Sequence, residues 1–118
     1  MTSPLRLSRG DVVLTPFPFT DLKGSSVRPA LIVSQGVIGQ DVILAGISSV
    51  VRGGVSPTDF LADAAHPEFP LTGLRVTSVI RLHRLTAVMA SILIRRLGRV
   101  GPQMQSDIDR RLRVVLGL

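Results

Sequence analysis

Arg28 has the residue type and the position of a phosphate-binding group. It opens the apolar run RPALIVS, two residues after the loop sequence Gly24, Ser25 and Ser26. A rigid strand would hold the guanidinium, and the loop would offer backbone N–H groups beside it, which together suit a phosphate. The alternative is structural, because an arginine at a strand end can also lay its aliphatic stem over apolar neighbours. Arg28 is therefore a candidate phosphate clamp.

Two further groups of polar residues interrupt apolar runs. Ser48 and Ser49 lie in DVILAGISSVV, where a hydroxyl either contacts a ligand or bonds a neighbouring carbonyl. No G-x-S-x-G sequence surrounds them, which argues against a hydrolase nucleophile. In LRVTSVIRLHRLTAV a strand would place Arg81 and His83 on one face and Arg84 on the other. A histidine beside an arginine can exchange a proton near neutral pH, although a lone histidine is often only structural.

Short strands must hold most of these residues. Pro16 and Pro18 are expected to end the first strand, since neither can donate to a ladder, whereas Pro29 is tolerated at the start of the second. Residues 89–97 fit either a strand or a helical turn, and Gly98 closes them. The predicted strands are residues 11–14, 28–34, 41–51, a short edge strand near 59–62, and 74–88.

The C-terminal segment predicts one helix. Met104, Ile108, Leu112 and Val115 recur at helical spacing and form one apolar stripe, and Gly117 offers a C-terminal cap. Several short strands and a closing helix predict an α+β fold, mostly β, in which a small antiparallel β-barrel or curled sheet packs on the helix. The length of 118 residues predicts a single domain.

Composition excludes several classes of protein. The absence of Cys excludes disulfides, thiolate metal sites and a Cys nucleophile, and two His residues argue against a metalloenzyme, so no cofactor is expected. Without Tyr or Trp there is no RRM-like stacking platform. Phe17 and Phe19 could stack on a base, although packing on the core as a loop anchor is the simpler role for at least one of them. No signal peptide or long apolar run is present, which predicts a cytoplasmic protein with no membrane contact.

The charge of the chain favours a polyanionic partner. The net charge is +6, and Lys23 is the only lysine. Residues 75–118 carry nine basic and two acidic residues, whereas residues 1–74 carry five and six. Arginine suits phosphate, and a basic third would steer nucleic acid, although a solvated basic face is the simpler alternative. A hydrophobic content of 45% also indicates apolar surface covered by a partner.

The order of three segments resembles the MazF/PemK family of toxin–antitoxin endoribonucleases. These segments are RGDVVLTPFPFTDLKGSSVRPALIVS, DVILAGISS and SVIRLHRLTAV. The resemblance implies an SH3-like β-barrel with a C-terminal helix and a homodimer that is blocked by a cognate antitoxin. It also implies metal-independent cleavage of single-stranded RNA through attack of the 2′-hydroxyl on the adjacent phosphate.

The resemblance also assigns site residues. The family's catalytic arginine falls on Arg28, and its strand hydroxyl, commonly Thr, falls on Ser48. Arg81 matches a position that is also a catalytic arginine in some members, and the position of His83 is there often a carboxylate. We therefore expect these four residues to be catalytic. The expected RNA-binding residues are Phe17, Lys23, Ser25, Ser26, Ser49 and Arg84.

Three functions remain open from the sequence. The first is a sequence-selective mRNA endoribonuclease neutralised by an antitoxin. The second is a non-catalytic poison of a topoisomerase (gyrase), as in the CcdB toxins on the same fold, which would give no joint role to Arg28 and Ser48. The third is an RNA-binding module with a decayed site, motivated by the departures at Ser48 and His83.

Overall fold

The computed structural model describes residues 6–17, 26–51 and 55–118. Its six strands form one antiparallel sheet in the order β4-β5-β3-β2-β1-β6. The sheet is curled, and a single α-helix follows the last strand, so the expected SH3-like fold, mostly β, is confirmed. The elements are β1 (Asp11–Phe17), β2 (Ser26–Ile32), β3 (Asp41–Ser48), β4 (Asp59–Ala62), β5 (Ser78–Met89), β6 (Arg95–Arg99), α1 (Pro102–Leu116) and 3-10 helices at Phe69–Thr72 and Ala90–Ile92.

Both faces of the central strands are buried, which explains their nearly continuous apolar sequences. Successive residues of a strand point to opposite faces, so Val12 joins one core cluster and Val13 the other. The first cluster includes the helix residues Met104, Ile108 and Leu112, which confirms the predicted stripe. The second cluster is built from other residues of β1, β2, β3 and β5, together with Leu93.

A distant carboxylate anchors the start of α1. Glu68 accepts hydrogen bonds from the backbone N–H groups of Gln103 at 3.0 Å and Met104 at 2.8 Å. These are first-turn donors that the helix itself cannot satisfy. At the other end, Gly117 adopts a left-handed conformation and caps the helix, as its position predicted. None of the helices in the described residues has the length and apolar composition to cross a membrane.

Two prolines lie inside strands, so the prediction that Pro16 ends the first strand was wrong. Pro16 pairs with Val27, and Pro29 pairs with Leu14 in the middle of β2 rather than at its start. Within the described ranges, the strand has only one paired neighbour at each position, because β6 and β3 pair with other parts of β1 and β2. A missing N–H is tolerated where no second strand requires it. Pro18 lies outside the described residues.

The other strand limits differ in part from the predictions. The third strand ends at Ser48 rather than at residue 51, and the fifth begins at Ser78 rather than at residue 74. Residues 89–97 contain both a 3-10 turn and the start of β6, so each alternative holds for part of them. Gly98 lies inside β6, where an added Cβ would come within 2.3 Å of the Leu71 carbonyl oxygen. The short edge strand at Asp59–Ala62 is confirmed.

Candidate active site

A cavity of about 410 Å³ opens where β2, β3 and β5 meet. Three arginines and a serine converge on this first cavity. It contains three of the predicted catalytic residues, Arg28, Ser48 and Arg81, together with Arg84 from the predicted RNA-binding set. The residues that line it are Arg28, Pro29, Gly46, Ile47, Ser48, Arg81, Arg84 and Thr86.

Strand pairing explains why Arg28 reaches the cavity. β2 pairs with β1 from Ser26 onward, but it pairs with β3 only from Ala30, which lies opposite Gly46. Arg28 precedes the first residue paired with β3 and is exposed. A Cβ added at Gly46 would meet no heavy atom of the described residues within 4 Å, so among these residues the space beside β3 is open. The break in pairing and the missing side chain together make room for a ligand beside Arg28.

An irregularity in β5 brings Arg81 and Arg84 to the same cavity. Regular pairing with β3 stops at Ile80 and resumes at Leu85, and only Gly46 of β3 lies opposite the intervening residues. Such a bulge bends a strand and redirects its side chains. The prediction that a regular strand separates Arg84 from Arg81 was therefore wrong. A glycine within the apolar run of β3 was the one sequence signal for a bulge here.

Asp59, at the start of β4, holds Arg81 although it does not itself line the cavity. Its side chain is 1% exposed, and its Oδ2 accepts hydrogen bonds from Arg81 Nη1 and from the Ser56 backbone N–H, both at 3.1 Å. His83 Nδ1 lies 3.7 Å from Oδ1 of the same carboxylate. Arg81 and His83 thus share one face, as expected, but His83 is outside the cavity lining. The sequence placed Asp59 only on an edge strand, since an isolated aspartate carries no spacing signal.

A second cavity, of about 400 Å³, shares Arg28, Pro29 and Ile47 with the first. Ser49 lines it together with two further arginines, Arg75 and Arg95. Arg28 therefore borders both cavities, and basic side chains continue from one into the other. The remaining lining residues of the second cavity are Leu14, Gly73, Leu74, Val76, Ser78 and Leu97.

The other predicted residues are placed as follows. Ser48 ends β3, is half-buried, and its Oγ accepts a backbone N–H two residues further on at 3.1 Å. The O–H of a serine that accepts in this way can still donate to a ligand. Ser26 is exposed at the start of β2 and lines neither cavity. The backbone of Phe17 ends β1 opposite Ser26, whereas its side chain, Lys23 and Ser25 lie outside the described part of the chain.

The two cavities are suited to binding an anion. Guanidinium groups form bidentate hydrogen bonds with phosphate, and donors already in place stabilise charge that develops in a transition state. Among the described residues, no acidic side chain lines either cavity. Within the same ranges, no three His, Asp or Glu side chains form a group that could hold a metal ion. The side chains present can therefore bind a phosphodiester and oppose its charge.

One protein family matches nearly the whole chain. Its description is "PemK-like, MazF-like toxin of type II toxin-antitoxin system", and its model matches residues 8–116. No curated protein matches the sequence.

Solved structures share the fold at low sequence identity. An endoribonuclease from Mycobacterial species is 22% identical, with a TM-score of 0.71 over 99% of this chain and 97% of that one. An endoribonuclease in complex with its cognate antitoxin, also from Mycobacterial species, is 23% identical, with a TM-score of 0.70 over 98% and 97%. MazF from Deinococcus radiodurans is 18% identical, with a TM-score of 0.70 over 97% and 99%.

Proposed function

Because the chain belongs to the PemK-like, MazF-like toxins of type II toxin–antitoxin systems, we propose that it is an endoribonuclease that cuts single-stranded mRNA at selected sequences. The observation that carries this proposal is the convergence of Arg28, Arg81, Arg84 and Ser48 on the first cavity. The description of two similar structures as endoribonucleases supports the same activity here.

In the proposed reaction, a ribose 2′-hydroxyl attacks the adjacent phosphate. The new O–P bond forms as the bond to the 5′-oxygen breaks, which leaves a 2′,3′-cyclic phosphate and a 5′-hydroxyl without the participation of a metal ion. Arg28 and Arg81 stabilise the negative charge that accumulates on the phosphate oxygens, because fixed donors need no reorganisation during the reaction. The O–H of Ser48 positions one of these oxygens.

The reaction also requires two proton transfers, one from the 2′-hydroxyl and one to the 5′-oxygen. We assign His83 to one of them, because its side chain is 46% exposed beside Arg81 and imidazole exchanges protons near neutral pH. Since His83 does not line the first cavity, the RNA must extend past Arg81 to reach it.

The neighbouring nucleotides are assigned to the surfaces beside the scissile phosphate. Arg84 in the first cavity and Ser49 in the second contact the RNA backbone, which agrees with their places in the two linings. Ser26, Lys23 and Ser25 complete these contacts, and Phe17 stacks on a base.

The proposed partners are a second copy of the chain and a cognate antitoxin, in the cytoplasm where mRNA is translated. One similar solved protein is bound to its cognate antitoxin. Several large apolar side chains are exposed, among them Leu71, Val76 and Ile94. A partner that covered them would remove apolar surface from water, which favours association.

Cleavage in EDTA tests the proposed function. The antitoxin-free protein is incubated with a long single-stranded RNA, and the ends are mapped by primer extension. We expect discrete cuts that leave 5′-hydroxyl ends and that disappear in Arg28→Ala. Intact RNA with a protein that still arrests growth would contradict the proposal and favour a topoisomerase target, whereas binding without cleavage in a protein that does not arrest growth would indicate a decayed site.

A further inference from the structure

The proposed reaction does not involve the buried carboxylate of Asp59. Asp59 lines neither cavity, yet it bonds to Arg81, which lines the first. A carboxylate that is 1% exposed is costly to bury unless a cation and other donors satisfy it. Its Oδ2 has two such donors, from Arg81 and Ser56.

The backbone around Asp59 is fixed from two sides, by β5 and by α1. In the β4–β5 ladder, Asp59 lies directly opposite Arg81. From α1, Arg111 Nη1 donates to the Asp59 carbonyl oxygen at 2.9 Å and to the Pro57 carbonyl oxygen at 3.0 Å. The helix and the sheet thus hold the carboxylate against a residue of the β5 bulge, where regular pairing with β3 does not constrain the chain.

The second oxygen of Asp59 has room for one more partner. Oδ1 is buried and accepts no hydrogen bond from the described residues. His83 Nδ1 lies 3.7 Å away, just beyond hydrogen-bond distance. A small rotation of the half-exposed imidazole would bring Nδ1–H to Oδ1 and leave Nε2, on the other side of the ring, available to RNA.

We propose that Asp59 is a positioning residue, which holds the guanidinium of Arg81 in the cavity wall with one oxygen and orients the ring of His83 with the other. This inference rests on the proposed function, because Arg81 and His83 are its charge-stabilising and proton-transfer groups. Side chains that orient such groups commonly contribute to activity without touching the substrate.

The test is the Asp59→Asn variant of the full chain, assayed on an oligonucleotide that spans a mapped cut site. We expect kcat to fall about 10- to 100-fold with little change in KM, because RNA still binds while Arg81 and His83 are no longer oriented. Asp109→Asn, which breaks the ion pair between Arg9 and α1, is the matched control and should keep the kcat of the unmodified protein.

A double-mutant cycle separates positioning from a purely structural role. If Asp59 acts partly through Arg81, Asp59→Asn lowers kcat less in the Arg81→Met background than in the unmodified protein, because only the orientation of His83 is left to lose. Two independent losses that multiply would overturn the proposal. So would an unchanged kcat in Asp59→Asn when the unmodified protein cleaves. A protein that never cleaves RNA would instead overturn the proposed function, and the positioning role with it.

Side-chain NMR keeps the proposal testable if Asp59→Asn does not fold. In the unmodified protein, the two Nη groups of Arg81 should give separate signals at low temperature, because Asp59 slows rotation of the guanidinium. A single averaged signal for Arg81, with separate signals for Arg9, would overturn the proposal.

Discussion

Two arginine–carboxylate pairs of this protein use their guanidinium groups differently. Arg9 binds both carboxylate oxygens of Asp109 on α1, and its Nε donates to the Val33 carbonyl oxygen at 3.3 Å. Among the described residues, Arg81 donates to Asp59 through Nη1 alone. The donors of Arg9 thus join elements of the fold, whereas Arg81 is held by one nitrogen at the wall of the first cavity, where we propose that its other donors bind the phosphate.

The two pairs also differ in burial. The side chains of Arg9 and Asp109 are 33% and 25% exposed, so water competes with their attraction. Such a pair contributes up to about 1 kcal/mol to stability. Asp59 is 1% exposed, and removal of one partner from a buried pair costs about 3–5 kcal/mol. Arg81 therefore supports both the fold and the site, and its variants must be assayed below their unfolding transition.

Replacement of each arginine by Met should separate the two pairs most strongly. Arg81→Met should lower the single-turnover cleavage rate by about 100- to 1,000-fold, because a fixed donor to the transition state is lost. Arg9→Met should keep the rate and lower the free energy of unfolding by about 1 kcal/mol, measured by urea denaturation. Equal losses of cleavage in the two variants would contradict the different roles of Arg81 and Arg9.

A side chain at Gly46 should block the first cavity and leave the fold intact. Gly46 has no positive φ, and an added Cβ meets open space, so Gly46→Leu introduces bulk without backbone strain. Displacement of the phosphate by about an ångström would reduce cleavage about 100-fold. Circular dichroism should show an unchanged thermal midpoint. The control is Gln40→Leu, which adds the same side chain at an exposed turn. Full activity in Gly46→Leu would place the reaction elsewhere.

Replacement of Glu68, the carboxylate that anchors the start of α1, should have a smaller effect. It should change only how the stability of the protein depends on pH. Burial would raise the pKa of Glu68, but backbone N–H groups of Met104 and Gln103 and the charge of His66 outweigh it, so the pKa falls below 4.5. The contribution of Glu68 to stability is therefore complete above pH 4.5. It is lost as the pH falls through the lower pKa that Glu68 has in the folded protein.

Thermal midpoints between about pH 6 and pH 3 test this anchor. Glu68→Gln should be less stable than the unmodified protein near pH 6, and the difference should shrink as the pH falls. Asp63→Asn, at an exposed acid, is the control and should keep the original pH dependence. A constant difference between Glu68→Gln and the unmodified protein at every pH would contradict the predicted role.

Local periodicity predicted most of the fold. The apolar stripe from Met104 to Leu112 predicted α1, because residues three or four positions apart lie on the same face of a helix. The continuous apolar runs of β2 and β3 predicted buried strands. The prediction for Pro16 was wrong because a strand accepts a proline where no second strand needs its N–H group. Whether β6 pairs at that position depends on residues far away in the chain.

The site was predictable only in part. The family resemblance predicted Arg28, Ser48 and Arg81 as site residues, and the structure brings these three to one cavity. The contact between Asp59 and Arg81 could not be predicted, because it joins residues 22 apart in sequence through the register of an edge strand. Arg84 reaches the first cavity because of a bulge in β5 opposite Gly46, and the alternating pattern of a regular strand does not reveal such a bulge.

Cleavage of RNA in the first cavity is tested most directly by one comparison of single-turnover rates. Arg28→Ala removes an arginine that borders both cavities, whereas Arg99→Ala removes an exposed arginine that borders neither. At fixed salt, we predict a loss of about 100-fold or more for Arg28→Ala and a rate near that of the unmodified protein for Arg99→Ala. Equal rates for the two variants would contradict the claim, because cleavage would then depend on overall charge or on another site.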